Sequence, residues 1–389
     1  MKFADLINQE RLARTFIQLC ETDSPSKEEG RMAALVTELL CNAGAATPFE
    51  DASAEQTGAD CGNLIFRFAG DSELEPLFFT CHLDTVEPGR GIKVLRQGDR
   101  FTSSGETILG SDDKSGIAAL IEAWQVMQEN RLPHAPLEFV FTTCEEIGLL
   151  GAKALDPACV QAKMGYALDT SGFGRVIVSA PAYNRLRITV KGAAAHAGLH
   201  PELGINAVIL AAQALTAAPC GRIDHETTIN FGLIRGGVAN NIVPEEVLIE
   251  GEIRSHDPEK LARLTQEVEA IFCRVITNWS DPSGQVQGRP GLDFQAELDF
   301  PAMKLGMDDA VIQRILAASQ RISMELRCED AGGGSDANIF NSKGLATAIV
   351  ATGMTNVHST AEEVSLTDMT KLTELILALT AGSNQGTIR

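Results

Sequence analysis

The sequence predicts an α/β fold: one discontinuous domain with a mainly parallel sheet, interrupted by an inserted α+β domain. Three observations predict it. Near-continuous apolar runs alternate with helical patterns between residues 63 and 168, as in a parallel sheet covered on both faces. Near Pro181 the strands change to in-and-out alternation, the mark of half-exposed antiparallel strands. From about residue 296 the first pattern returns. A chain of 389 residues is also too long for one ordinary core. The expected domains are therefore residues 1–180 with 296–389, and an insert over 181–295.

Taken in order, residues 3–20 read as an amphipathic helix, and Ser24 or Ser26 can cap a second one through about Cys41. Strands are expected at 63–69 and at 77–81, the latter the fully apolar L-F-F-T-C. A polar stretch runs from Glu87 to Thr107, and a helix follows Asp113 with Ile117, Leu120, Ile121 and Trp124 on one side. Next come a buried strand at 137–144, a helix around 151–155 and a strand at 164–168. In the insert, strand 185–191 precedes a helix after Pro201, strands at 227–234 and 246–254, and a helix from Asp257-Pro258 to about Trp279. Asp as cap with Pro at the first position makes that start clear. This is the β-α-β-β-α-β order of a ferredoxin-like unit. After it come a helix at 307–326, the turn A-G-G-G-S-D-A-N, a strand at 346–351 and a last helix at 367–381.

Composition excludes several classes. Asp and Glu number 52 against 32 Lys and Arg, a net charge of −20 that disfavours nucleic acid or an anionic membrane as partner. Nine cysteines without C-x-x-C spacing argue for reduced thiols rather than a zinc ribbon or disulfide framework. No apolar run reaches the roughly 18 residues of a membrane span, and the first twelve residues lack a signal core. A cytoplasmic protein is expected.

Five short segments carry the chemistry: H-L-D at 82–84, S-D-D at 111–113, C-E-E at 144–146, L-D-T at 168–170 and V-H-S at 357–359. Each stands where an apolar strand gives way to a loop or helix start. In an open α/β sheet, ligands collect beyond the carboxyl ends of the strands, so His82, Asp84, Asp112, Glu145, Glu146, Asp169 and His358 can converge on one edge. Oxygen and imidazole donors without thiolates suit zinc, cobalt or manganese. A pair of such ions about 3.5–4 Å apart needs a bridging carboxylate, and a further carboxylate to shuttle the proton of the attacking water. Adjacent Glu145 and Glu146 point in different directions, so one can face a metal and the other the water. A lone carboxylate at a strand end is ordinarily a helix cap. It is the ordered set of five that points to a paired metal site.

The segments T-C-H-L-D-T-V, L-G-S-D-D-K-S-G, T-C-E-E-I-G-L-L-G-A, A-L-D-T-S-G and N-V-H-S resemble the co-catalytic dizinc peptidases that include carboxypeptidase G, the aminoacylases and peptidase T. The likeness spans nearly the whole chain, includes K-G-A-A-A-H-A-G in the insert, and is closest to the peptidase T-like (tripeptidase) branch. It implies a zinc-peptidase-like catalytic domain with an inserted lid and dimerisation domain, two divalent metal ions, and a homodimer through the lid. By the same resemblance Asp112 bridges the metals, His82 and Asp169 complete one site, and Glu146 and His358 the other; Asp113 is the less favoured bridge. Glu145 is then the general base, Asp84 orients the His82 ring, and His196 stabilises the oxyanion. Asn240 and Arg254 are implied to hold the peptide, or else Arg254 makes an ordinary surface ion pair. The Gly333 turn either presents amides to substrate or simply leads into the helix from Ser335. His134, His200, His225 and His256 are read as solvated or structural.

The expected function is a dimetal exopeptidase acting on short peptides, most of all an aminopeptidase for tripeptides, because Asp169 rather than glutamate resembles the aminopeptidase side of the family. An N-acyl-amino-acid amidohydrolase or a carboxypeptidase of the same fold is the first rival. A non-catalytic binding protein on this fold is the second.

Overall fold

In the computed structural model of the chain, residues 2–381 are described. Met1 and residues 382–389, with which the first domain was expected to begin and end, lie outside them. The chain divides into two compact units. One comprises residues up to Ser179, Lys304–Ala331 and the chain from Ser335, and the other Ala180–Met303 with Gly332–Gly334.

The first unit is built on a nine-stranded sheet. Its centre is parallel: Leu137–Thr142, Leu77–His82, Met164–Thr170 and Ala346–Ala351 lie side by side in that order. Leu64–Phe68 flanks this block antiparallel on one side, and Arg175–Ala180 on the other. Successive strand residues face opposite sides, so adjacent Phe78 and Phe79 meet different partners. Phe78 meets Phe340 of the Asp336–Ser342 helix with ring centroids 5.6 Å apart, and Phe79 meets Tyr166 at 5.8 Å. Tyr166 in turn donates to the Val311 carbonyl at 2.7 Å, tying down the Ala310–Arg321 helix. With both faces covered, all six residues of Leu77–His82 are buried, which is why that strand reads as an unbroken apolar run.

The Ser111–Asn130 helix is buried almost throughout. Gly110 before it has φ +75°, a left-handed conformation that glycine takes without a Cβ penalty. Gly116 allows the helix to sit tight on the sheet. A Cβ there would lie 2.5 Å from Asp113 Oδ1 and 2.9 Å from both Cys81 Sγ and Leu168 Cβ. Gly116→Ala is therefore expected to destabilise the fold by about 1–3 kcal/mol through overpacking, despite alanine's helix-propensity gain of about 1 kcal/mol. Urea unfolding reads this directly; an unchanged midpoint would mean that the helix has room to shift.

Several elements differ from expectation. Within the polar stretch 87–107 lies a hairpin, Val94–Gln97 with Arg100–Ser103, and Glu363–Ser365 adds a third strand to it. Strands Arg175–Ala180 and Arg327–Asp330 were not foreseen, and the helix expected at 307–326 spans only Ala310–Arg321, ended by Ser323 at φ +56°. All nine cysteines are free. Among the described residues no helix is long and apolar enough to cross a membrane.

The second unit has the ferredoxin-like arrangement. Strands Thr227–Gly236, Glu246–Ser255, Ala182–Lys191 and Gly291–Phe300 pair antiparallel in that order. The helices Ala207–Ala217 and Pro258–Thr277 pack against it around Leu186, Ile188, Val190, Ile249, Val268 and Phe272. Asn206 caps the first, accepting from the Ile209 N–H, and Asp257 caps the second, accepting from Glu259 and Lys260. The unit runs on to Met303 rather than 295, because Gly291–Phe300 completes its sheet, with Phe294 beside Ile188. Arg185 and Arg187 stand on the helix-free face in a groove of about 740 Å³, paired with Asp299 and Glu250.

Candidate metal centre

The five segments meet in the first unit. His82 ends its strand in register with Thr142, and its ring is clamped from both sides. Nδ1 lies 2.8 Å from the Asp84 main-chain oxygen and 3.5 Å from its carboxylate, while Nε2 lies 3.0 Å from Asp112 Oδ1. The other Asp112 oxygen, Oδ2, is 3.3 Å from His358 Nε2, which is also 3.0 Å from Glu146 Oε1. One carboxylate thus presents an oxygen to each of two imidazoles, as a bridge between two ions must. The donor atoms fall into overlapping groups, each within 4.8 Å: His82–Asp112–Asp169, Asp112–Glu146–His358 and His82–Glu145–Glu146.

Asp112 and Asp113 are joined by a cis peptide, and their carboxylates take different tasks. Asp113 is fully buried and accepts the His82 main-chain N–H at 3.3 Å, so it faces the sheet behind the site. Asp84 is likewise fully buried. Its carboxylate accepts the Glu145 N–H at 2.9 Å, the Glu146 N–H at 3.2 Å and the Ser26 hydroxyl at 2.6 Å. It therefore anchors the glutamate turn as well as lying beside the His82 ring. That turn needs anchoring, since Cys144 has φ +55°, a strained value for a non-glycine residue. The Cys144 N–H is held by Glu29 at 2.9 Å. His358 also has a left-handed φ, of +61°, in a loop closed by reciprocal bonds between Thr355 and Glu363.

Electrostatics favour cations here. Burial and the neighbouring Asp169 push the Glu145 carboxyl well above its ordinary range, and burial with Asp112 does the same to Asp169. Burial also raises Glu146, against the pull of His358. Hydrogen bonds to Asp112 and Glu146 push His358 up to about 10. Burial opposes charge on His82, but Asp112 and Asp84 outweigh it and raise this imidazole as well. Asp112 is held below the usual range, its burial outweighed by His358 and His82. Three carboxylates, Asp112, Glu146 and Asp169, and two imidazoles form an oxygen–nitrogen donor set suited to two divalent ions.

Two residues escaped the sequence reading. Asp336, in the glycine turn, is buried beside Glu145; its Oδ2 accepts from Thr142 at 2.5 Å, and Oδ1 has no hydrogen-bond partner among the described residues. Burial pushes it up to about 6. Glu362 is buried four residues after His358, and its position within A-E-E, just past a proposed ligand, was the available signal.

The remaining candidates lie in the second unit. The His196 strip bridges to Ile242, and Ala197 donates to the Asn241 carbonyl, which sets His196 beside the Asn240 loop. His196 Nδ1 accepts from the Gly198 and Leu199 N–H groups, each at 3.2 Å, so the ring proton belongs on exposed Nε2. Arg254 pairs with Glu252 at 3.1 Å and covers the Tyr183 ring at 5.0 Å. A Cβ on Gly333 would stand 3.7 Å from Arg254 Nη1, so these two candidates are neighbours.

Two family models match the chain. That of the M20 peptidase dimerisation domain matches residues 182–276, and that of peptidase family M28 matches 63–199. Protein YqjE of Bacillus subtilis is 36% identical over 96% of this chain and 98% of its own length. The crystal structure of aminopeptidase PepT from Bacillus cereus is 36% identical, with 96% of this chain and 98% of that one covered and a TM-score of 0.87. The chain belongs to the peptidase T-like branch of the M20/M28 metallopeptidases. A tripeptidase from Staphylococcus aureus resembles this peptidase T-like chain equally well, at 32% identity, the same coverage and a TM-score of 0.89.

Proposed function

We propose that this metallopeptidase is an aminopeptidase that releases the first residue of tripeptides and similarly short peptides, with zinc at both metal positions. The observation that carries it is Asp112, whose two oxygens each face one imidazole, His82 at 3.0 Å and His358 at 3.3 Å. His82 and Asp169 complete one position in this reading, and Glu146 and His358 the other. Cobalt or manganese suits the same donors. Divalent ions held there supply Lewis acidity toward the scissile carbonyl and lower the pKa of the attacking water.

The chain's own residues do the rest. Glu145 takes the proton of the water and delivers it to the departing amine. Asp84 keeps both the His82 ring and the glutamate turn in place. His196, with Nε2 free to donate, stabilises the oxyanion. Asn240, Arg254 and Gly333 hold the peptide, with Arg254 offering Nη1 beyond its pair with Glu252. We place the chain in the cytoplasm as a homodimer through the second unit, in keeping with the dimerisation-domain match.

A screen of di- and tripeptides with free or acylated amino ends tests the reading. Release of the first residue from free-amine tripeptides, with acylated ones left intact, is the expected result. Cleavage confined to acylated substrates would instead mark an amidohydrolase, and release of the last residue a carboxypeptidase. No turnover of any peptide would leave a binding protein.

A further inference from the structure

Glu362 is only 1% exposed, and both of its carboxylate oxygens are committed to one short stretch of chain. Oε2 accepts the Leu109 and Gly110 N–H groups, each at 2.8 Å. Oε1 accepts the Ser111 hydroxyl at 2.6 Å and the Asp112 N–H at 3.2 Å. Four donors thus converge from the turn that presents the bridging carboxylate, at the positive end of the Ser111–Asn130 helix. Glu362 sits on the loop that carries His358. Behind it, Glu363–Ser365 is zipped to Arg100–Ser103, which fixes the loop from the other side.

We propose that Glu362 is a positioning residue for the metal centre: a single loop supplies His358 directly and, through Glu362, aims the two oxygens of Asp112. The proposal rests on the metal-centre reading above. Asp112 must keep one oxygen toward each half of the site, and its main chain is left-handed at Gly110 and non-helical at Asp112 and Asp113. Nothing in a regular helix start would hold that path; four hydrogen bonds to one buried carboxylate do. Loss of the clamp therefore loosens the shared ligand, and with it both positions together, rather than the His358 half alone.

An amide in place of the carboxylate tests it. Gln offers one acceptor oxygen, and its NH₂ group opposes the donors that faced the other. In the full chain, E362Q is expected to keep its far-ultraviolet dichroism and to weaken zinc affinity, read by chelator competition, about 10–100-fold. Turnover at limiting zinc falls accordingly and recovers with excess zinc, while KM stays near wild type. Ser111→Ala removes one donor and leaves the carboxylate, so a few-fold weakening is expected, and this variant decides the matter should E362Q not fold. Wild-type zinc affinity in either folded variant would overturn the proposal, as would a loss of turnover in E362Q that excess zinc does not restore. A wild-type chain that fails to take up two ions would sink the metal-centre reading itself.

Discussion

Glu145→Gln is expected to lower kcat by about 10²–10⁴-fold, the range for a general acid–base residue, while the metal content stays at the wild-type value. That factor corresponds to about 3–5 kcal/mol of transition-state stabilisation. The two neighbouring glutamates divide the labour. Glu146 is turned toward His358 at 3.0 Å and belongs to the group that shares Asp112. Glu145, one residue earlier, is grouped with His82. Gln keeps the shape and the main-chain anchors to Asp84 but cannot accept the proton. Steady-state kinetics with metal analysis on the same sample reads both halves; turnover near wild type would remove Glu145 from the mechanism, and parallel loss of metal would make it a ligand.

Much of this arrangement was legible because the chemistry-bearing residues stand at the ends of strong patterns. L-F-F-T-C-H is mostly apolar and buried throughout because both faces of its strand are covered, and L-E-F-V-F-T is buried for the same reason, so the residues that end and follow them are conspicuous. Asp257-Pro258 was readable as a helix start since a cap works through bonds a few residues away. What escaped depends on contacts remote in sequence. Glu362 bonds a turn some 250 residues earlier, and no local spacing encodes that. Gly291–Phe300 does alternate, with Leu292, Phe294, Ala296 and Leu298 in step, but it follows a loop rich in Gly and Pro that looked like a domain boundary. The hairpin at 94–103 is largely exposed and turns on Gly98 and Asp99, so it carries too little apolar signal to stand out from a loop. Sequence pattern reports burial well; it reports a buried carboxylate's partners only when they are close by.

Stripping the metal should cost more than activity. Polarising a carbonyl with a divalent ion is worth several kcal/mol, so chelation is expected to lower turnover by roughly a thousandfold or more, with zinc, cobalt or manganese restoring it. Stability responds too, and its sign can be worked out from the groups involved. Glu145 and Asp169 have folded-state pKa values above their unfolded ones, as do His82 and His358. Such groups bind more protons folded than unfolded, so their contribution is full below the unfolded pKa and is lost as pH rises through the folded one. Asp112 and Asp84 run the other way, and their window lies in acid. The metal-free chain should therefore melt at progressively lower temperature as pH climbs from the unfolded histidine value near ~6.5 toward about 10, where His358 gives up its proton. Zinc-loaded protein, in which the ions replace those protons as counter-charge, should show a much flatter profile over the same range. Thermal denaturation with and without chelator across that interval separates the two curves. Parallel profiles would mean that no cations offset this cluster, and full turnover in metal-free protein would end the case for a metal-dependent peptidase.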